Sequence, residues 1–329
     1  MIRHAIALAA GLVLVAACAP QSHRPQQGPG RDPAGAASGP AAASPGPVRA
    51  TVDGLLAKRP LFGVYIPDQS QATVDEIGNS VGCRPVLFEL FASISAGVSA
   101  ETIQKAPGIP VLSLEPWRTG EGPNQPDFSL QTTIDGRWDE QYKKVAKAVV
   151  EYRDVVLIRF AHEMNAKWYP WGVANGNKTG QYPQAWRHVV DLFRAAGATN
   201  ALWVWSPNVI RGASSRTISQ FWPGPEYVDL VGLTGYGFHE TSPAQTYSGT
   251  MTLVKALTDK PIILTETGAQ NDSSKQKWIA NFGAWLHANP QVAGFIWNEG
   301  LRQGDWRFND TPANAEAFKR SLAAAKVPC

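Results

Sequence analysis

Residues 156–172 read VLIRFAHEMNAKWYPWG and join a short apolar run to a dense group of charged and aromatic side chains. The run from Val155 to Phe160 has the length and the β-branched content of a strand that is buried on both faces. The polar and aromatic residues follow this strand directly. Because catalytic residues of an α/β barrel stand at the carboxyl ends of its strands, the segment predicts a barrel with its active face here.

A second apolar strand also ends on a lone acid. Pro261 to Leu264 leads into Thr265, Glu266 and a glycine-bearing turn. The interval between Glu163 and Glu266 fits three strand–helix units, so the two acids are expected to end strands four and seven, on opposite sides of the mouth. We interpret them as a carboxylate pair acting on a glycosidic bond. A separation of about 5–5.5 Å would give retention of configuration, and one of about 6.5–9.5 Å would give inversion.

The His162-Glu163 pair has two other possible roles. A zinc-protease helix would need a second histidine four residues after His162, where the chain has Ala166. Glu163 could instead form a structural ion pair with Arg159, because such pairs also collect near strand ends. The second acid, Glu266, favours the catalytic interpretation over both.

Four segments resemble glycoside hydrolase family 26 and occur in that family's order. They are Ile158–Gly172, Ala201–Asn208, Trp222–Tyr236 and Lys260–Gly268. The resemblance extends from about Pro60 to Leu322. It implies a single (β/α)8 TIM barrel and a retaining enzyme, with Glu163 as acid/base and Glu266 as nucleophile. The family acts mainly on β-mannans, and some members act on mixed-linkage β-glucans or β-1,3-xylans.

The same face is expected to bind the sugar. Amide, imidazole and guanidinium groups suit hydroxyls, and tryptophan rings suit the apolar faces of sugars. The substrate-binding candidates are His162, Arg159, Asn165, Trp168, Trp171, Asn208, Tyr236, Trp297, Glu115 and Trp117.

Several of these candidates have alternative roles. The resemblance implies that the Tyr236 hydroxyl bonds Glu266, although an aromatic lid over the barrel rim is the other interpretation. Arg159 is predicted to point into the barrel and keep Glu266 charged. His162 could equally be a packing residue, and a tryptophan inside a barrel is often part of the core. Both asparagines could cap loops instead of binding hydroxyls.

The sequence departs from the family pattern at three places. Mannan-cleaving members usually carry a histidine-bearing segment where this chain has Glu115-Pro116-Trp117. Thr234 replaces an expected aspartate, and Ala166 replaces an expected glycine. We expect an endo-acting hydrolase of β-1,4-mannan. The alternatives are the same mechanism on mixed-linkage β-1,3-1,4-glucan or another envelope polysaccharide, and a carbohydrate-binding lipoprotein without turnover.

The first fifty residues are predicted to lie outside the barrel. Residues 1–17 have a short basic start and an apolar run, and the sequence LVAAC places Cys18 as in a bacterial lipoprotein signal. A plain secretion signal is the alternative. Residues 18–50 are rich in Pro, Gly and Ala, which predicts a flexible tether from the lipidated Cys18. The product is then expected outside the cytoplasmic membrane, with the barrel at residues 51–329.

Charge and composition favour a neutral ligand. The net charge of +3 resides in the signal and the tether, so the barrel is close to neutral, while the chain has 12 tryptophans. We therefore expect a β-linked polysaccharide as partner and no nucleic acid. The proposed chemistry needs no metal and no cofactor, and we expect a monomer.

With Cys18 lipidated, Cys83 and Cys329 remain. Cys83 precedes the second strand and Cys329 ends the chain after the last helix, which puts both at the amino-terminal face. In an oxidising compartment we expect them to form a disulfide, with two free thiols as the alternative.

The hydrophobic pattern predicts eight strand–helix units. The strands are expected at Leu61–Ile66, Pro85–Leu90, Ile109–Leu114, Val155–Phe160, Ala201–Trp205, Val228–Leu233, Ile262–Thr265 and Ala293–Trp297. The clearest helices are expected at Asp139–Tyr152, Tyr182–Ala196, Ser274–Ala288 and Pro312–Ala325.

Overall fold

The computed structural model describes residues 49–172, 175–211 and 217–329. The predicted signal, the lipidation site Cys18 and the tether up to residue 48 lie outside the described residues. The first described contact of the chain with the barrel is made by Ala50, whose N–H donates to Thr199 O at 3.0 Å. Thr51 then caps the first helix. Within the described ranges, no helix is both long and apolar enough to cross a bilayer.

The strands form a closed parallel barrel in the order β1 to β8, which confirms the predicted fold. The strands are β1 (Leu61–Tyr65), β2 (Leu87–Ser93), β3 (Ile109–Glu115), β4 (Val156–Phe160), β5 (Ala201–Trp205), β6 (Leu230–Gly237), β7 (Ile262–Ala269) and β8 (Val292–Asn298). The first and last strands close the ring, in a register that runs from Leu61 beside Gly294 to Tyr65 beside Asn298.

Helices alternate with these strands and cover the barrel. They are α1 (Val52–Leu55), α2 (Gln71–Val81), α3 (Ala100–Gln104), α4 (Leu130–Ile134), α5 (Asp139–Tyr152), α6 (Gln181–Ala195), α7 (Pro243–Lys255), α8 (Lys275–Ala288) and α9 (Pro312–Ala324). In α5, the residues Tyr142, Val145 and Val149 recur at helical spacing and are all buried. This apolar stripe, rather than local propensity, is what fixes the helix against the sheet.

Several strands run further at their carboxyl ends than their apolar content predicts. Strands β6 and β7 stay paired beyond their apolar residues, with Thr234 beside Glu266 and Gly237 beside Ala269. The ladder continues because a parallel neighbour still offers backbone partners, whatever the polarity of the side chains. These extra residues carry much of the active face.

The barrel interior is layered from apolar to polar. Its lower part is filled by Leu61, Leu87, Val111, Leu157, Leu202, Val204, Leu230, Ile263, Ala293 and Ile296, with Leu55 and Leu56 packed against them. Because successive strand residues alternate between faces, the next inward position of several strands is two residues later. Those positions hold the buried polar residues Glu89, Ser113, Arg159, Ser206 and Thr265, and Thr234 follows two residues further along β6.

A disulfide joins Cys83 to Cys329, as predicted, with a Cα–Cα distance of 4.9 Å. Cys83 lies between α2 and β2, and Cys329 follows α9. The bond closes a loop of 246 residues and fastens the described carboxyl terminus to the amino-terminal face of the barrel.

Candidate active site

The chain turns sharply after β4, and this turn orients Glu163. Ala161 and Glu163 both have left-handed backbone conformations, with φ of 43° and 54°. Such conformations are costly for residues with a side chain and persist only where neighbours enforce them. Here Ala161 N donates to Leu114 O at 3.0 Å, and Glu163 N donates to Ser206 O at 2.7 Å. The ends of β3 and β5 therefore hold the turn.

The Glu163 carboxyl is buried and receives a hydrogen bond on each oxygen. Asn208 Nδ2 donates to Oε1 at 2.9 Å, and Trp168 Nε1 donates to Oε2. Burial and the negative charge of Glu266 together raise the pKa of Glu163 to about 7, against the opposing effect of Arg159. A carboxyl that still holds its proton near neutral pH is suited to act as a general acid.

Glu266 has the opposite environment. Arg159 Nη2 lies 2.7 Å from Oε1, Thr234 Oγ1 donates to the same oxygen at 3.4 Å, and the Tyr236 hydroxyl donates to Oε2 at 3.1 Å. Both contacts predicted for Glu266, with Arg159 and with Tyr236, are therefore present. All of these groups are donors, so the site favours an ionised carboxylate with a fixed direction.

Arg159 supports Glu266 and does not bind substrate, so its assignment as a sugar-binding residue is wrong. Its side chain is completely buried. Its nitrogens contact Ser206 Oγ at 3.0 Å, Glu89 Oε1 at 2.8 Å, Ser113 Oγ at 3.0 Å and Thr234 Oγ1 at 2.5 Å, besides Glu266. Because Arg159 leaves β4 on its inward face, its guanidinium fills the barrel centre below the groove.

His162 is likewise a packing residue, and the prediction that it binds a sugar hydroxyl is wrong. The imidazole is fully buried, and its Nε2 lies 3.0 Å from the Tyr169 hydroxyl. Burial, together with the charge of Arg159, holds the pKa of His162 well below its usual range. A neutral, fully buried ring can position the Glu163 turn but has no exposed surface to offer a ligand.

Trp171 and Trp297 are core residues, so the prediction that they line the cleft is wrong. Both side chains are fully buried. Trp171 Nε1 donates to His162 O at 2.6 Å, and Trp297 Nε1 donates to Trp306 O at 2.8 Å. Trp297 points away from the barrel interior because the next residue, Asn298, takes the inward position of β8. Trp168 differs from both, since 41% of it is exposed.

Asn165 and Asn208 act as a pair. Asn165 Nδ2 donates to Asn208 O at 2.9 Å, and Asn208 N donates to Asn165 Oδ1 at 2.8 Å. These bonds tie the loop after β4 to the loop after β5. Asn165 therefore has a loop-tying role, which was the alternative to binding a hydroxyl, and Asn208 also contacts Glu163.

Glu115 and Trp117 lie at the end of β3 and contact each other, with Trp117 Nε1 donating to Glu115 Oε2 at 3.1 Å. Glu115 is 4% and Trp117 is 9% exposed, close to the 6% of Glu163, so their assignment as sugar-binding residues stays a prediction. The Trp117 ring packs edge-on against Tyr169 and Trp171. Burial raises the pKa of Glu115 to about 7. These two residues support the aromatic wall below the groove.

Sequence reasoning missed several residues of the active face. Phe91 is 38% exposed on β2, and its ring packs edge-on against Tyr65 and against His162. Asn298 Nδ2 donates to the Tyr236 hydroxyl at 3.1 Å, and the Trp306 ring lies 4.8 Å from that of Tyr236. The period-two series Leu87, Glu89, Phe91 could have indicated the inward face of β2.

The described part of the chain contains no group of three or more His, Cys, Asp or Glu side chains arranged to hold a metal ion.

Comparison with known proteins gives a consistent result. The family model for glycosyl hydrolase family 26 matches residues 131–299, which include both carboxylates. Endoglucanase H of Acetivibrio thermocellus is 27% identical over 240 residues, covering 68% of this chain and 25% of that protein. A mannan endo-1,4-beta-mannosidase of Bacillus subtilis strain 168 is 26% identical over 274 residues, covering 72% and 73% of the two chains.

This chain thus spans only a quarter of Endoglucanase H, and it spans 37% of the mannan endo-1,4-beta-mannosidase of Caldalkalibacillus mannanilyticus. Among solved structures, the YdhT protein from Bacillus subtilis superimposes with a TM-score of 0.60 at 24% identity, covering 79% of this chain and 84% of that one. At this identity the superposition supports the fold.

Proposed function

The chain belongs to glycosyl hydrolase family 26, and on that premise we propose that it is a retaining, endo-acting hydrolase of a β-linked polysaccharide, with β-1,4-mannan as substrate. One observation carries the proposal. Two carboxyls at the ends of β4 and β7 have opposite environments, since Glu163 is buried and favours its proton, whereas Glu266 is surrounded by donors. Such a division of roles is what double displacement requires.

In the first step, Glu163 donates its proton to the glycosidic oxygen as the bond from that oxygen to the anomeric carbon breaks. Glu266 attacks the anomeric carbon and forms a glycosyl ester. The Glu163 carboxylate left behind accepts hydrogen bonds from Asn208 and Trp168, which stabilise its new charge. The leaving chain departs with a free hydroxyl.

In the second step, Glu163 accepts a proton from water as that water attacks the anomeric carbon. The ester bond to Glu266 breaks, and the carboxylate that is released returns to Arg159 and Tyr236. Two inversions give net retention, and both acids return to their starting states. The relay from Asn298 through the Tyr236 hydroxyl keeps Oε2 of Glu266 aligned between turnovers.

The choice of β-1,4-mannan follows the names of several relatives, which are mannan endo-1,4-beta-mannosidases. The similarity to Endoglucanase H supports a second candidate, a β-glucan. A reducing-sugar assay on mannan, mixed-linkage β-glucan and β-1,3-xylan separates them. Release from mannan supports the first substrate, and release from glucan alone supports the second. Binding of these glycans without release of sugar would instead favour a carbohydrate-binding lipoprotein.

We also propose that Cys18 carries lipid, that the barrel stands outside the cytoplasmic membrane on a tether, and that it acts as a monomer. The sequence LVAAC before the tether supports the anchor, and the Cys83–Cys329 disulfide fits an oxidising compartment. Metabolic labelling with a radioactive fatty acid in a bacterial host tests the anchor. Cys18→Ser should lose the label, and label that persists in this variant would contradict the assignment.

A further inference from the structure

The mechanism leaves one fully buried acid unused, namely Glu89 on β2. Its side chain lies inside the barrel with no exposed surface. Arg159 Nη1 contacts its Oε1 at 2.8 Å, and Arg159 Nη2 contacts Oε1 of Glu266 at 2.7 Å. A single guanidinium thus joins two carboxyl groups, and one positive charge can neutralise only one of them.

The two carboxyls are not equivalent. Glu266 receives donors on both oxygens and is 17% exposed, so water also reaches it. Glu89 receives Arg159 Nη1 and the Ser113 hydroxyl, at 2.7 Å, on Oε1 alone. No donor from the described residues reaches its buried Oε2. An ionised carboxylate with an unpaired oxygen in a buried site is far more costly than a neutral acid with an unpaired hydroxyl.

We propose that Glu89 is a neutral, protonated positioning residue, which leaves the positive charge of Arg159 to the nucleophile Glu266. The proposal rests on the proposed function only for the role of Glu266. The groups that face Glu89 are Arg159 on β4, Glu266 on β7, Tyr65 on β1, Tyr236 on β6 and the Ser113 hydroxyl on β3.

The electrostatics agree with this assignment. Burial raises the pKa of Glu89, Arg159 opposes the rise, and the negative charge of Glu266 adds to it. A folded-state pKa above the ordinary glutamate value means that the folded protein keeps a proton that the unfolded chain has lost. Stability contributed by that proton is present at low pH and is lost as the pH rises through the folded pKa.

The test compares the full chain with Glu89→Gln, whose amide resembles the neutral acid. Urea unfolding at intervals from pH 5 to 7 gives the ratio of the two unfolding constants. If the folded protein holds a proton that the unfolded chain has lost, the wild type becomes less stable as the pH rises. Its unfolding constant should then increase relative to that of Glu89→Gln by about tenfold for each pH unit. This measurement needs no substrate, so it stands even if the proposed enzymatic activity fails.

A matched control is Glu299→Gln. Glu299 is another buried glutamate, its pKa is raised to about 8 by burial, and its Oε1 accepts from Phe308 N at 2.9 Å. For Glu299→Gln, the ratio of the wild-type and variant unfolding constants is expected to change with pH in the same way. This change would show that the assay detects a buried protonated glutamate.

A second readout concerns Glu266 directly. If Glu89 is neutral, Glu89→Gln leaves Arg159 paired with Glu266 as before, and the acidic limb of the kcat/KM profile on soluble mannan keeps its position. If Glu89 is ionised, its replacement removes a negative charge that competes for Arg159, and that limb moves to lower pH. Two outcomes would overturn the proposal. One is a ratio of unfolding constants that does not change with pH for Glu89→Gln while it does change for the Glu299→Gln control. The other is a shift of the acidic limb of the kcat/KM profile in Glu89→Gln.

Discussion

Arg159 contacts Glu266 from below, with Nη2 at 2.7 Å from Oε1, while every other nitrogen of the guanidinium binds elsewhere in the barrel interior. The arginine is therefore rigid before substrate arrives. Arg159 thus orients the Glu266 carboxylate, and it lies only four residues before Glu163. One segment of the sequence therefore positions both carboxylates.

Arg159→Lys should separate charge from geometry. Lysine keeps the positive charge but lacks the planar fork that contacts five groups at once. Loss of hydrogen bonds to a charged partner costs about 1.5–3 kcal/mol each, so we expect kcat/KM to fall at least about tenfold and stability to drop. Kinetics on soluble mannan and urea unfolding measure both. Arg307→Lys, at a partly exposed pair with Asp305, is the control and should change stability by less than about 1 kcal/mol.

Glu266→Ala should abolish hydrolysis while leaving binding largely intact, because the nucleophile forms the bond that makes turnover possible. Loss of a group of this kind lowers kcat by about 10⁴-fold or more. Reducing-sugar release measures turnover, and tryptophan fluorescence with mannohexaose measures binding. In the wild type, the anomeric configuration followed by NMR should show net retention. An inverted first product would exclude Glu266 as the covalent nucleophile.

The alkaline limb of the pH profile should report Glu163. This residue must be protonated to donate, and its pKa is raised to about 7, so kcat/KM on mannan should fall about tenfold per pH unit above that value. A mannoside with a dinitrophenyl leaving group needs no proton at departure, so its kcat/KM should lack this limb. The same limb with both substrates would assign it to another group.

Phe91→Ala should weaken binding of the sugar chain. The ring is exposed on the active face, where a sugar can stack on it, and aromatic contacts of this kind contribute about 0.5–1.5 kcal/mol. KM for mannohexaose should therefore rise about two- to tenfold, with a smaller change in kcat. Val86→Ala is the matched control, because Val86 is equally exposed but precedes β2 at the amino-terminal end. An equal effect of both substitutions would point to general destabilisation.

Much of the active site could be predicted from local sequence. The apolar runs before Glu163 and Glu266 give strands, and the order of the motifs gives their place in the barrel. Two further features could also be predicted. They are the contacts that Arg159 and Tyr236 make with Glu266, and the disulfide between Cys83 and Cys329. In each case the residue lies at a strand or chain end whose face is fixed by the topology.

The roles of the aromatic residues were harder to predict. Trp168 and Trp171 lie three residues apart, yet one is 41% exposed and the other is fully buried. Sequence does not state which side of a loop faces the groove, since that depends on the irregular turn at Glu163. Phe91 was missed because the predicted second strand ended at Leu90, whereas the observed strand continues to Ser93.

The sequence by itself determined the alternating strands and helices and the two acids that end apolar strands, because apolar periodicity and strand ends are local properties of the chain. The order of its motifs, which resembles that of family 26, added the closed barrel. Only the tertiary structure showed that Glu89 shares Arg159 with Glu266. Glu89 and Glu266 are far apart in sequence and meet through Arg159 because strands β2, β4 and β7 direct them to one point inside the barrel. Burial and the charge of Glu266 at that point, which no single segment encodes, raise the pKa of Glu89.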